Sequence, residues 1–371
     1  MIKINELVSI IAFVCILAAC SNQEPNGGDD AAQEEVTLRV STFSDEVLFE
    51  DRFKEPIEKA YSNITLEHFP VGFGDLEEAI AQRDFPDIIL LDNAHTIPWM
   101  DDLEILMPLD ELAEKHSTDL SAFNTVALER TRSYDANREL KALPFGNAYA
   151  LYYNKDIFDL FGEPYPEDDM TWEEIIDLAG RVSGERNGIQ YRGFHFDLLV
   201  FAHKQLGLSV TDPETGQILF TEQDEWADFF SLVERIVSDP ALFPEGRDHF
   251  VAWGEGFFQD QTVAMYPTFE AFWVLEENPG LNFDVVTMPV WPDLPGVAPY
   301  QTGWAVGVTS TTEHPDEAFQ VIEYLTYDEE YNLENFRQGI PTALEFEQYN
   351  DQFAADVEGA GDLNVEAFFD T

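Results

Sequence analysis

Basic residues are scarce in this sequence, and that scarcity excludes one large class of function. The chain has 371 residues, with 19 Lys and Arg against 73 Asp and Glu, so its net charge is −54. Binding to nucleic acid requires a basic surface that contacts phosphates, so we expect no nucleic-acid partner. The acidity indicates a saline or alkaline habitat, where salt screens repulsion between carboxylates, or else serves ordinary solubility through net charge.

Cysteines and long apolar runs are also scarce. The cysteines are Cys15 and Cys20, and removal of the first 19 residues would leave no disulfide, no cysteine-based zinc site and no cysteine nucleophile. No apolar run reaches the roughly 18 residues expected of a membrane-spanning helix. Hydrophobic residues at 45% and aromatic residues at 13% nevertheless supply folded cores, which excludes a disordered acidic chain.

The N-terminus has the pattern of a lipoprotein signal. A short apolar stretch, 7–19, follows Lys3 and ends in small residues, and Leu17-Ala18-Ala19-Cys20 looks like the lipobox of bacterial lipoproteins. We therefore predict a signal peptide at 1–19, a lipidated Cys20 and a flexible tether at 20–35. The alternative is a buried first helix with two incidental cysteines.

Beyond the tether, strand and helix patterns alternate. The order β-α-β-α-β over 36–91 predicts a doubly wound α/β lobe, and 171–174 (TWEE) is a capping box that starts a helix in a mostly helical second lobe. Pro315 fits the first turn of a later helix. The predicted strands are 36–43, 64–69, 85–91, 143–154, 262–266, 283–288 and 303–309.

Patterns that carry catalysis or metal binding are missing. The seven histidines form no HExxH motif, and neither a Walker-type phosphate loop nor a GxSxG motif is present. Pairs of carboxylates are unavoidable among 73 acidic residues, so their spacing does not identify a glycosidase pair. We therefore predict no enzyme activity, no catalytic residue, no metal and no cofactor.

Aromatic and amide side chains instead gather at strand ends, where ligands of open α/β sheets bind. Core packing is the alternative for each ring taken singly. The candidate ligand-binding residues are Asp92, Asn93, Trp99, Phe145, Asn147, Tyr149, Trp253, Thr268, Phe269, Glu270, Trp273, Gln301 and Trp304.

Six segments in order resemble the family 1 extracellular solute-binding proteins, the maltose-binding-like receptors of carbohydrate ABC transporters. The most diagnostic are the Tyr-Tyr-Asn-Lys box at 152–155 and the Gly-Trp step at 303–304. The segments are the lipobox, FPDIILLDNAHTIPWMDDLEILMPLDEL (85–112), LPFGNAYALYYNKDIFDLFG (143–162) with TWEEIIDLA (171–179), TVAMYPTFEAFW (262–273), FDVVTMPVWP (283–292) and TGWAVGVTSTTEHPDEAFQVIEYLT (302–326).

The resemblance implies a type II periplasmic-binding-protein-like fold with two α/β lobes and three crossovers near Ala148, Pro267 and Thr312. Lobe 1 would be 36–148 plus 268–312, and lobe 2 would be 149–267 plus 313–371. Relatives usually run on for some tens of residues, so lobe 2 is expected to lack its final helices. Phe43 adds a candidate ligand residue, at a position where relatives often carry a Trp.

The same resemblance implies a monomeric receptor, anchored through Cys20 on the extracytoplasmic face of the cell membrane. It would bind a neutral sugar or oligosaccharide between the lobes by hinge closure and deliver it to an ABC permease. Three alternatives stay open. They are a receptor for another small solute such as a polyamine, favoured by the acidity, a surface glycoside hydrolase, and an adhesion lipoprotein.

Overall fold

The computed structural model describes most of the chain beyond the predicted tether. From Val36 onward the residues form one compact unit. The predicted signal peptide and Cys20 lie outside the described residues. Those residues are 34–42, 45–69, 79, 81–82, 84–92, 96–146, 148–195, 200–212, 215–220, 225–243, 254–269, 271–272, 278, 280–297 and 304–369.

Ten strands and twelve α-helices are described, together with a π-helical turn at Glu50–Lys54. The strands are β1 Val36–Ser41, β2 Ile64–His68, β3 Ile88–Asp92, β4 Leu143–Pro144, β5 Tyr149–Asn154, β6 Gly184–Arg186, β7 Ile189–Tyr191, β8 Met265–Phe269, β9 Phe283–Val286 and β10 Trp304–Val308. The helices are α1 Glu46–Phe49, α2 Glu55–Ala60, α3 Thr96–Asp102, α4 Asp110–His116, α5 Thr125–Ser133, α6 Lys155–Phe161, α7 Trp172–Arg181, α8 Val200–Gln205, α9 Glu225–Ser238, α10 Glu255–Phe258, α11 Pro315–Tyr327 and α12 Glu329–Arg337.

The larger sheet has five strands in the order β2-β1-β3-β10-β4. Strand β1 pairs in parallel with β2 and β3, as the doubly wound lobe predicted over 36–91 requires. Strand β10 runs antiparallel to both β3 and β4 and joins them. The carboxyl ends of β1, β2, β3 and β4 therefore lie at the edge of the sheet where β10 begins.

The second sheet has three antiparallel strands in the order β8-β5-β9, and β6 and β7 form a separate ribbon. All six residues of β5 are buried. The single strand predicted over 143–154 is thus two strands in different sheets, β4 and β5. Residues 145–148 carry the chain from one sheet to the other, and we call this segment the first crossover.

Local signals start several helices as expected. The capping box of α7 is confirmed: the Thr171 hydroxyl accepts from the Glu174 N–H, and the Glu174 carboxylate accepts from the Thr171 N–H. Pro315 is in the first turn of α11, also as predicted. The cap of α1 was not predicted: it is Asp45, whose carboxylate accepts from the Leu48 N–H.

Two large cores hold these elements together. The first lies around the five-stranded sheet, with Leu38, Ile57 and Phe319 fully buried, and extends to Tyr152 of β5. The second surrounds Trp172 of α7, which is also fully buried. A smaller third core contains Ile89, Ile97, Met100 and Ala305.

The expected lobe boundaries stay a prediction, and the packing of two later segments bears on how they are drawn. Strand β9, within 268–312, pairs with β5 in the three-stranded sheet. Helix α11, within 313–371, packs against β10, β4 and α4 of the five-stranded side. A 3-10 turn at Val365–Phe368 then contacts β5 and β9. The segment after α12 therefore reaches from one sheet to the other.

Candidate functional site

Three of the predicted ligand residues meet at the edge of the five-stranded sheet where β10 begins. Asp92 ends β3 and is paired in register with Trp304, the first residue of β10. Phe145 directly follows β4, and its N–H donates to the Trp304 carbonyl at 2.6 Å. Trp304 and Phe145 are both half-buried, so their side chains are neither sealed in the core nor fully in water. The edge that the sequence predicted as a ligand site thus carries two accessible rings.

Trp99 lies in α3, the helix that follows β3. It is half-buried and packs against the third core beside Ile97 and Met100. The ring therefore contributes to packing as well as to the surface near β3.

Three further candidates lie at one end of the three-stranded sheet. Tyr149 begins β5 and pairs with Phe269, the last residue of β8, while Thr268 pairs with Ala150. Thr268 is 2% exposed and Tyr149 is 9% exposed, whereas Phe269 is half-buried. Phe269 is thus the most accessible of the three.

The first crossover ties these two groups together. Phe145 and Tyr149 are four residues apart, so their Cα atoms are at most about 14 Å apart whatever path the chain takes. Six predicted residues therefore fall into two clusters that share one short connection. The other predicted ligand residues lie outside the described residues: Phe43, Asn93, Asn147, Trp253, Glu270, Trp273 and Gln301.

Sequence reasoning missed a polar cluster at the same edge of the larger sheet. Thr42 follows β1 and His68 ends β2, and the Thr42 Oγ1 and His68 Nε2 atoms are 3.4 Å apart. The Nδ1 atom of His68 lies 3.0 Å from an Oε2 atom of the exposed Glu46, and its ring stacks on Phe49 with centroids 4.5 Å apart. Their position in the predicted sheet could have identified them, because both residues lie at the carboxyl ends of parallel strands, where ligands bind.

The described parts of the chain offer this site hydrogen-bonding and stacking groups. Within them, no group of three or more His, Cys, Asp or Glu side chains is arranged to hold a metal ion. No helix among the described residues is both long and apolar enough to cross a membrane. Half-buried aromatic rings at strand ends can bind a polar molecule that has apolar faces, without covalent chemistry.

A five-stranded mixed sheet and a three-stranded sheet, joined by the first crossover and flanked by helices, form an α/β fold of the type II periplasmic-binding class. The model of the bacterial extracellular solute-binding protein family matches residues 45–331, and the chain belongs to this family. The resemblance inferred from the six sequence segments is thereby confirmed. No curated protein sequence matches the chain.

Solved structures show the same fold at low sequence identity. An ABC substrate-binding protein of Listeria monocytogenes, solved with cycloalternan, is 19% identical with a TM-score of 0.69, over 90% of this chain and 85% of that one. The sugar-binding protein MalE of Xanthomonas citri is 18% identical with a TM-score of 0.64, over 88% and 85%. The GacH receptor of Streptomyces glaucescens, solved unliganded and with acarbose, is 17% identical with a TM-score of 0.64, over 86% and 82%.

Proposed function

We propose that this protein is the substrate-binding lipoprotein of a bacterial ABC importer, and that it binds a sugar or oligosaccharide. The observation that carries the proposal is the meeting of Trp304, Phe145 and the end of β3 at one sheet edge, in a member of a solute-binding family. The similar proteins of known structure that were solved with cycloalternan or acarbose support a carbohydrate as the ligand class.

The physical basis of such binding is stacking combined with hydrogen bonds. A sugar ring has an apolar CH face that packs on an aromatic ring and hydroxyls that donate to carboxylates. A dissociation constant of about 1 μM corresponds to about −8 kcal/mol. Contacts with a few rings at about 1 kcal/mol each, together with charge-assisted hydrogen bonds, reach that range. No group that forms a covalent bond with the ligand is required, so we propose a receptor and not an enzyme.

The two sheets are the basis for the proposed lobes. One lobe is built on the five-stranded sheet and the other on the three-stranded sheet, with the ligand bound between them and the first crossover acting as one hinge strand. Rotation about the crossovers would bring the cluster at Phe145 and Trp304 toward the cluster at Tyr149 and Phe269. Closure around the ligand then presents the closed form to the permease.

The test of ligand class combines a carbohydrate panel with a matched pair of variants. Bound ligand stabilises the folded state by about 2.7 kcal/mol at one hundred times Kd, so a raised Tm identifies the binding sugar. We expect Trp304→Ala to weaken binding of that sugar at least about ten-fold, which is about 1.4 kcal/mol. The control Phe230→Ala removes a 46%-exposed ring on α9 that is not a candidate ligand residue, and it is expected to leave affinity unchanged.

Two other outcomes would decide against the carbohydrate. A broad panel of mono- and oligosaccharides that leaves Tm unchanged, together with a co-purified non-sugar solute found by mass spectrometry, would assign a different ligand. Release of reducing ends from a polysaccharide would instead identify a glycoside hydrolase.

We further propose that Cys20 carries the lipid that holds the protein on the extracytoplasmic face of the membrane, and that the mature protein is a monomer. One or more acyl chains stabilise attachment by about 0.8 kcal/mol per buried CH₂. Mass spectrometry of the mature N-terminus tests the lipid, and Cys20→Ala should release the protein into the medium. A membrane-retained Cys20→Ala variant would contradict the anchor, and size-exclusion chromatography tests the monomer.

A further inference from the structure

A surface cavity of about 580 Å³ lies apart from the candidate ligand residues. Four segments form it: Tyr61 after α2, Ala122, the end of α11 with the start of α12, and residues 344–348. The Glu345 N–H donates to the Ala122 carbonyl at 2.9 Å, and Phe123 forms a β-bridge with Leu344. The wall of the cavity is therefore fixed by main-chain bonds. None of the residues predicted to bind the solute lines it.

Three tyrosine rings and Phe346 make up the aromatic part of the lining. Tyr61 and Tyr324 meet edge to face with centroids 6.0 Å apart, and Tyr327 lies 6.0 Å from Phe123. Tyr324 also packs at 5.1 Å against Tyr331, which is 8% exposed. Packing thus holds the rings in place before any ligand arrives. Aromatic faces of this kind attract ammonium groups through their quadrupole.

The charged part of the lining is entirely acidic. It contains Glu323, Asp328, Glu329 and Glu345, and no Lys, Arg or His is among the described residues that line the cavity. Burial raises the pKa of the Tyr61 hydroxyl, and the negative charges of Glu323 and Asp328 raise the same pKa further. The electrostatic potential in the cavity is therefore negative and favours a cation.

Hydrogen bonds also fix the orientation of three of the four carboxylates. Glu323 accepts from the Thr118 hydroxyl at 2.5 Å, and Glu329 accepts from the Tyr349 hydroxyl at 2.8 Å. The Asp328 carboxylate accepts from the Tyr331 N–H at 2.9 Å and so caps α12. Such bonds leave lone pairs on the carboxylate oxygens for a ligand, and they reduce the entropy lost when it binds.

We propose that this cavity is a second binding site, specific for a small linear polyammonium ion of the polyamine class. Several ammonium groups on one flexible chain match carboxylates that are distributed around the cavity, and the methylene spacers match the tyrosine faces. The volume is in the usual range for small-molecule sites, about 300 to 1,000 Å³. The site is independent of the proposed sugar site, because the two share no residue.

The experiment is isothermal titration of the full chain with spermidine in about 0.15 M salt, where the Debye length is about 8 Å and diffuse attraction is weakened. One spermidine per protein is expected. Glu345→Gln and Tyr61→Leu should each weaken binding about five-fold, because each removes one contact to the cation.

Two matched controls distinguish specific binding in the cavity from diffuse attraction to an acidic surface. Glu347 is exposed on the same segment, two residues from Glu345, but does not line the cavity, so Glu347→Gln should change affinity less than about two-fold. Tyr61→Phe keeps the ring and should also bind within about two-fold of the wild type. Unchanged Tm values confirm that the variants fold.

Several outcomes would overturn the proposal. Non-saturating binding, or equal weakening by Glu345→Gln and Glu347→Gln, would show diffuse attraction to an acidic surface. Loss of spermidine binding in Trp304→Ala would place the amine at the sheet-edge site. Binding of oligolysine without binding of spermidine would indicate a basic protein partner. Failure of the sugar assay alone leaves this test unaffected, since it uses different residues and a different ligand.

Discussion

The backbone of Gly146 lies against the carbonyl group of Pro341, so closely that no side chain fits between them. A Cβ atom built at Gly146 would overlap the Pro341 carbonyl and the Thr342 nitrogen. Gly146 belongs to the first crossover, and Pro341 belongs to the segment that follows α12. The chain that passes between the two sheets is therefore held by a backbone contact that requires glycine at 146.

Replacing Gly146 by alanine should destabilise the protein and disturb the crossover. The added methyl group must displace main-chain atoms, and overpacking of this kind costs about 2 to 3 kcal/mol in the free energy of unfolding. Urea unfolding measures the loss. Gly361→Ala is the control, because a Cβ there meets nothing within 4 Å and the change should stay within about 0.5 kcal/mol. Equal stability of the two variants would contradict the close contact.

A buried glutamine links α7 and α8 to the segment after β9. Gln205 is 5% exposed, accepts from Trp172 Nε1 at 2.6 Å, and donates from Nε2 to the carbonyls of Pro289 and Val297 at 2.8 and 2.9 Å. Gln205→Met keeps the volume but leaves three polar groups without this partner, so we expect a loss of about 3 kcal/mol.

Chemical denaturation of Gln205→Met tests the link, with Gln259→Met as the control at an exposed position. Both variants introduce the same side chain, so their difference isolates the buried hydrogen bonds. A loss no larger than the control's would mean that the network adds nothing to stability.

His195 should make stability depend on pH. Burial lowers the pKa of its imidazole to about 4, and the nearby positive charge of Arg192 acts in the same direction. The unfolded pKa is about 6.5, so between these values the unfolded state binds the extra proton. Stability from this residue is therefore complete above about pH 6.5 and is lost as pH falls toward 4, by up to about 3 kcal/mol.

The contribution of His195 is measured as a difference between proteins, since many carboxylates also titrate in this range. Free energies of unfolding at pH 7 and pH 4.5 should differ less in His195→Gln than in the wild type. His314→Gln, at a partly exposed position, should retain the wild-type difference. Equal pH dependence in all three proteins would contradict the assignment.

The capping box at the start of α7 should contribute about 1 kcal/mol to the free energy of unfolding. Thr171→Ala removes the hydroxyl that accepts from the Glu174 N–H, leaving one amide at the helix end without its cap. Thr125→Ala is the matched control, because Thr125 is exposed in the first turn of α5, where Asn124 supplies the cap. Thermal unfolding in which both variants have the same Tm would show that the box does not stabilise the helix.

Much of the local structure could be predicted because its causes are local. The Thr171 box and the first-turn position of Pro315 each depend on a few neighbouring residues, and both are confirmed. The split of 143–154 could not be predicted. Of the described residues from Leu140 to Asn154, all but Phe145 and Gly146 are buried, so periodicity gives no sign of where one sheet ends and the next begins.

Part of the candidate site could be predicted from the position of residues at strand ends. The rule that ligands bind beyond the carboxyl ends of strands pointed to Asp92, and the pairing of β10 with β3 then brings Trp304 to it. His68 follows the same rule, but an isolated histidine in a sequence has no visible partner. Its neighbours Thr42 and Glu46 are 26 and 22 residues away along the chain.

The sequence by itself determined the succession of strands along the first half, the starts of α7 and α11 and the family, because hydrophobic periodicity, caps and segment order are written in consecutive residues. Tertiary structure alone decided that β10 joins β3 to β4, that Gly146 meets Pro341, and that Tyr61 meets Tyr324 across the acidic cavity. Those contacts join residues far apart in the chain. They form because burying two apolar surfaces together lowers the free energy, whatever their separation in sequence.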